Sequence, residues 1–132
     1  MVSTAEDLER FLDRLTRRYE RTPEGTYLLA AGAEQPPIGV RLAPPVLVAQ
    51  ATIGLAPKGD AALEARFFRR LLELNGSELM HAAYSLSGDM VVLGAALPLD
   101  NLDLNELEAV LSAFDLALAT HVPALRAMAK PA

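Results

Sequence analysis

Apolar residues recur at helical intervals in three stretches of the chain, and in short or alternating runs between them. The first helical stretch is "STAEDLERFLDRLTRRYE". There Leu8, Phe11, Leu12, Leu15 and Tyr19 fall on one face. Ser3 with Glu6, or Thr4 with Asp7, supplies a capping box at its start. Arg14, Arg17 and Arg18 come late, where cations suit the helix dipole. Pro23 and Gly25 in "RTPEG" predict the stop.

Strands follow. "TYLLAAG" is short and apolar. "IGVRLAPP" alternates Ile38, Val40 and Leu42 with Gly39, Arg41 and Ala43. "VLVAQATIGLAP" is the longest strand pattern and is β-branched at Val46, Val48, Thr52 and Ile53. Pro44 and Pro45 cannot donate to a ladder, so "IGVRLAPP" is expected at a boundary or a sheet edge.

"KGDAALEARFFRRLLELNG" predicts the second helix, with Asp60 as N-cap and Asn75-Gly76 as a left-handed stop. "MHAAYSL" and "MVVLGAAL" then flank "SGD" as a hairpin, with Gly88 free to take positive φ. A last helix is expected from near Asp103 to at least Thr120, kinked or interrupted at Pro123. The fold class is α+β: an antiparallel sheet in the order α-β-β-β-α-β-β-α, helices packed on it, in a single domain over residues 1–132.

"PLDNLDLNELEAV" crowds Asp100, Asp103, Glu106 and Glu108 together and invites a chemical reading. An EF-hand loop needs Gly at its sixth position, which counted from Asp103 is Glu108. Paired glycosidase carboxylates come from separate elements flanking a cleft. "DLNE" fits an N-cap with an acid three residues on, so these acids are expected to start the last helix. His81 and His121 have no spacing that recommends a metal, and no Gly-x-Ser-x-Gly elbow or phosphate loop is present. No catalytic residue, cofactor or metal ligand is therefore assigned.

Composition narrows the choice further. The chain has 132 residues, 52% of them hydrophobic, which suits one packed core. It has no cysteine, which excludes disulfides and thiol catalysis. The net charge of −5 disfavours a nucleic-acid partner. No apolar run approaches the ~20 residues of a membrane span, and no signal peptide is visible. The expectation is a cytoplasmic protein, and the excess of Arg, Ala and Leu suggests a GC-rich bacterial source.

The positive signal is surplus apolar surface. On the second helix Leu63, Phe67, Leu71 and Leu74 fall on one face, and Ala61, Ala65, Phe68 and Leu72 on the next. That arc of about 200° is wider than a one-sided helix needs. Either this is a central core helix or its second face meets another subunit. Leu63, Phe67, Phe68, Leu71 and Leu72 are the expected dimer ridge. The strand from Met90 is apolar on both faces, which also asks for a cover. Phe11, Leu15 and Tyr19, with Val40 and Leu42 on an edge strand, are the expected surface for a partner segment; the first helix could equally pack wholly on the sheet.

The stretch "RRLLELNGSELMHAAYSLSGDMVVLGAALPLDNLDLNELEAVLSAFDLAL" resembles the class I type III secretion chaperones, the Tir-chaperone group, and their YbjN relatives. A helix ends in "LLELN", a hairpin's second strand ends in "LPLD", and "LDLNELEAVL" opens the closing helix. The likeness covers about half the chain. It implies a small acidic α+β homodimer, with the middle helix at or near the interface, that holds a partner segment without ATP. Two other readings compete. One is a small-molecule sensor or enzyme with His81, Tyr84 and Arg41 converging in a pocket on the sheet face. The other is a scaffold subunit that pairs with a different protein through the same ridge.

Overall fold

The computed structural model describes residue 2 and residues 4–32 and 34–130. Helix α1 (Ala5–Arg14) opens on a full capping box: Thr4 accepts from the Asp7 amide, and the Asp7 carboxylate accepts from the Thr4 amide. Ser3, the other expected cap, lies outside the described residues.

The helix stops earlier than the pattern of leucines suggests. Thr16 takes φ +55, and the Arg17 amide reaches back to the Leu12 carbonyl at 3.0 Å. That left-handed turn satisfies the helix's last carbonyls without a glycine. Arg17 then makes a two-point pair with Asp115, at 3.1 and 2.6 Å. The chain turns there, and Tyr19 enters a strand instead of closing the helical stripe.

That strand, β1 (Tyr19–Arg21), adds one element to the expected order. It is followed by β2 (Tyr27–Leu29), β3 (Ile38–Ala43), β4 (Val46–Leu55), α2 (Ala61–Ser77), β5 (Ala83–Ser87), β6 (Met90–Pro98) and α3 (Leu104–Ala129). All strands pair antiparallel, in the spatial order β1-β2-β3-β4-β6-β5. The "IGVRLAPP" strand is thus interior, between β2 and β4, and not an edge. Pro44 and Pro45 sit in the tight β3–β4 turn, where no ladder donor is missed. The edges are β1 and β5.

One face of the sheet carries the core. Tyr27, Leu29, Ile38, Val40, Leu47, Ala49, Ala51, Val91 and Leu93 are buried there against Leu8, Leu12, Leu107, Leu111, Phe114 and Leu118 from the helices. Each fully buried Leu or Phe contributes roughly 1.5–3 kcal/mol. The alternate residues, including Leu28, Arg41, Val48, Gln50 and Thr52, point to the other, helix-free face. A bulge between Thr52 and Gly54 ends the regular β4–β6 register; Gly54 holds φ +151, and Arg126 donates to the Ile53 carbonyl at 3.1 Å.

Asp60 caps α2 by accepting from the Ala62 and Leu63 amides, as expected. Asn75-Gly76 does not stop it. The helix runs through both to Ser77, because Asn75 has a tertiary role described below. The hairpin turn at Gly88, φ +61, is as expected. Asp103 caps α3 by accepting from the Glu106 amide at 2.8 Å, so the acidic cluster does start a helix.

α3 continues past Pro123 without interruption. Pro123 and Ala119 both lie on the exposed side, so the carbonyl that the proline leaves unpaired faces water. By length and mean hydropathy alone α3 reaches what a membrane span needs, although Glu106, Glu108 and Asp115 interrupt its apolar run. Its nine buried residues, Leu107 to Leu125, make it the core helix here.

Candidate functional site

α2 packs on α3 and on β5. Of the five ridge residues, Phe67 and Leu71 turn inward and belong to the chain's own core. Leu63 and Phe68 are half-buried. Leu72 is 70% exposed. The outward face of α2 is thus Leu72 and Phe68 with Ala61 and Ala65, and Phe67 braces Phe68 from behind, the rings edge to face at 5.9 Å. Met80 and Leu86, also exposed, follow α2 in the chain.

The second expected surface is rearranged. Phe11, Leu15 and Tyr19 are half-buried against the core margin, and Leu42 likewise. Val40 is fully buried under the helices of an interior strand, so it is withdrawn as a partner contact. Tyr19 now lies on the β1 edge. It meets the Tyr27 ring edge to face at 5.4 Å. The Tyr27 hydroxyl donates to Glu9 of α1 at 2.6 Å, and Arg21 of β1 stacks over the same ring. This cluster fixes the β1–β2 edge to α1. Burial, then the hydrogen bond to Glu9, pushes the Tyr27 phenol up to about 12.

The two edges differ. At β5 the Asn75 side chain acts as a substitute neighbouring strand. Its Oδ1 accepts from the Tyr84 amide at 2.7 Å and its Nδ2 donates to the Tyr84 carbonyl at 3.1 Å. The outward-facing backbone of Tyr84 is therefore already paired. At β1 no such cover is present among the described residues.

His81, Tyr84 and Arg41 do not converge. His81 lies before β5, not in a strand, and is exposed. Tyr84 is buried on the helix side, and Arg41 points from the opposite face of the sheet. Instead Tyr84 joins His121, for which the sequence offered no partner, and Glu78, which it did not single out. Its hydroxyl lies 3.1 Å from His121 Nδ1, and His121 Nε2 lies 2.7 Å from Glu78. With the proton on Nε2, His121 donates to Glu78 and accepts from Tyr84, and no buried side-chain polar atom among the described residues lacks a partner. His121 lies inside α3 and is only 7% exposed. Burial, with the Glu78 charge second, raises the Tyr84 phenol far above its ordinary range. The cleft above this chain, between α2 and α3, holds about 140 Å³. Ligand pockets run to ~300–1,000 Å³. The arrangement is a clasp that holds the C-terminal end of α2 to α3 and β5.

The geometry has counterparts. A chain of the heterodimeric ExoU–SpcU complex from the type III secretion system of Pseudomonas aeruginosa superposes with TM-score 0.71 at 20% identity, over 95% of this chain and 99% of that one. YbjN from E. coli superposes with TM-score 0.66 at 13% identity, over 89% and 90%. The Yersinia pestis type III secretion chaperone SycH, in complex with a stable fragment of YscM2, gives TM-score 0.59 at 17% identity, over 89% and 98%. No curated protein sequence matches the chain. The family model CesT_Tir_1 matches residues 1–131. The chain belongs to the CesT_Tir_1 family, and its fold is the one these secretion-system proteins and YbjN share.

Proposed function

We propose that this protein is a non-enzymatic binding protein of the cytoplasm that works as a homodimer and holds a segment of a partner protein without ATP. The observation that carries the reading is the uncovered outer face of α2. Leu72 at 70% exposure, beside half-buried Phe68, is apolar surface that a second copy of the same helix would cover. A C2 pairing brings like face to like face, and the small Ala61 and Ala65 let two helices approach closely. The partner segment belongs at the β1 edge, flanked by Phe11, Leu15 and Tyr19, where an extended chain gains main-chain hydrogen bonds. The secretion complexes among the structural relatives support a protein ligand over a small substrate.

Sedimentation velocity at micromolar concentration tests the dimer. The wild type should run as a dimer and Phe68→Glu as a folded monomer. A wild-type monomer with no change on Phe68→Glu overturns the homodimer. A dimer that forms only with a different protein, seen by pull-down from the source organism, assigns the ridge to a hetero-oligomer instead.

A further inference from the structure

The helix-free face of the sheet carries a trough of about 450 Å³. It crosses the strands obliquely from Leu28 past Arg41 and Gln50 to Thr52, Val92 and Met90. Pro36 and Pro37 close one end and Ser87 borders the other. We infer that this trough binds a small amphipathic carboxylate, with the carboxylate on Arg41 and its apolar chain along Val48, Val92 and Met90.

Charge points to the ligand's head group. The chain carries 17 acidic residues and a net charge of −5, yet no acid lines the trough. Arg41 is its only charged residue, and no ion pair is formed by it among the described residues. A guanidinium presents a planar fork that matches a carboxylate two-point. The lining holds no second cation, which a phosphate dianion would want. Gln50 faces the same side as Arg41; it is paired with Gly39, two residues along β3, and so stands diagonal to Arg41 across the β3–β4 ladder. It offers an amide donor to the same ligand.

Size and backbone chemistry point to a free small molecule. The volume matches the ~300–1,000 Å³ of ligand pockets. An extended peptide would find no ladder to join, because β2, β3, β4 and β6 already pair on both sides. The apolar end of the trough suits the tail: half-buried Val48 and Met90 present apolar surface there, over a floor that includes the buried Val92. This inference stands apart from the homodimer and from partner binding at β1.

The test uses octanoate, with octylamine and octanol as charge controls. Methyl NMR on the full chain should show octanoate shifting Leu28, Val48 and Val92, with affinity about tenfold above either control, the size of one charge-assisted contact. Arg41→Gln should lose that factor and Arg41→Glu should reverse the preference toward octylamine, with melting temperature unchanged in both. Equal binding of octanoate and octylamine, octanoate binding indifferent to Arg41→Gln, or shifts confined to α2 would each overturn the assignment. So would binding of an acidic peptide at the trough with octanoate inert, or an altered oligomeric state in Arg41→Glu. The homodimer can fail in sedimentation while octanoate still binds at Arg41, so the two readings fail separately.

Discussion

At the scale of single residues, the three tyrosines report how the polar groups are held. Tyr27 and Tyr84 are each buried with a hydroxyl committed to one partner, Glu9 and His121. Tyr19 is half-buried, and its phenol is raised by burial first and by Asp13 and Glu9 next. An unfolded tyrosine ionises near pH ~10. A phenol raised to about 12 in the folded state keeps its proton there while the unfolded chain releases it. Its contribution to stability is therefore full below pH ~10 and is lost as pH rises through about 12. Alkaline titration followed by phenolate absorbance and circular dichroism should show at most one phenol, Tyr19, ionising before the fold is lost. Two or more phenolates below pH ~11 with native dichroism would contradict the burial of Tyr27 and Tyr84. None of this was legible in the sequence: His121 lies 37 residues from Tyr84 and 43 from Glu78 in the chain. Glu78 stood beyond an expected helix stop, and His121 beside a proline that suggested an end.

At the scale of elements, caps were legible because they are local. Thr4 with Asp7, Asp60 and Asp103 all act as the short-range chemistry of their side chains dictates. The ends of helices were not, because tertiary partners decide them. The leucine stripe and the arginines after Arg14 extend the helical pattern, yet Arg17 is drawn to Asp115 and α1 yields a strand after it. Asn75-Gly76 has the composition of a stop, but Asn75 is used on β5 and the helix continues. The α1 stop places the β-branched Thr16 at φ +55, a region such residues seldom occupy. Thr16→Gly should relieve that strain and raise stability by up to about 1 kcal/mol, after the entropy glycine returns to the unfolded chain. Denaturant melts would read it as a higher midpoint at constant slope. A lower midpoint would mean that the Thr16 hydroxyl, 2.6 Å from the Leu15 carbonyl, matters more than the backbone strain.

At the scale of the whole molecule, the surplus of apolar positions on α2 and β6 was visible in the sequence, but its division was not. The pattern gives the width of an apolar arc, not which part the chain covers itself. The structure assigns Phe67 and Leu71 to the chain's own core and leaves Leu72 outside. It likewise covers one face of β6 with helices and leaves the other as the floor of a trough. The sheet's two ends are then unequal. β5 is closed at Tyr84 by a side chain that supplies both hydrogen bonds of a missing strand, while β1 keeps its outer edge. The Asn75 pairing covers β5 at Tyr84 and leaves β1 the more open edge; on the proposed reading this favours β1 for an extended partner segment, and it limits edge-to-edge association at Tyr84. Hydrogen exchange with a bound partner segment should show new protection in β1 and the end of α1, and none in β5. Asn75→Ala leaves the Tyr84 amide and carbonyl without partners, at a cost of about 1–3 kcal/mol. It also opens the second edge. The variant should melt earlier, expose the β5 amides to exchange, and self-associate at concentrations where the wild type does not. An Asn75→Ala chain that exchanges and sediments like the wild type would show that β5 is kept closed by something other than this side chain, and the asymmetry of the two edges would then not decide where a partner binds.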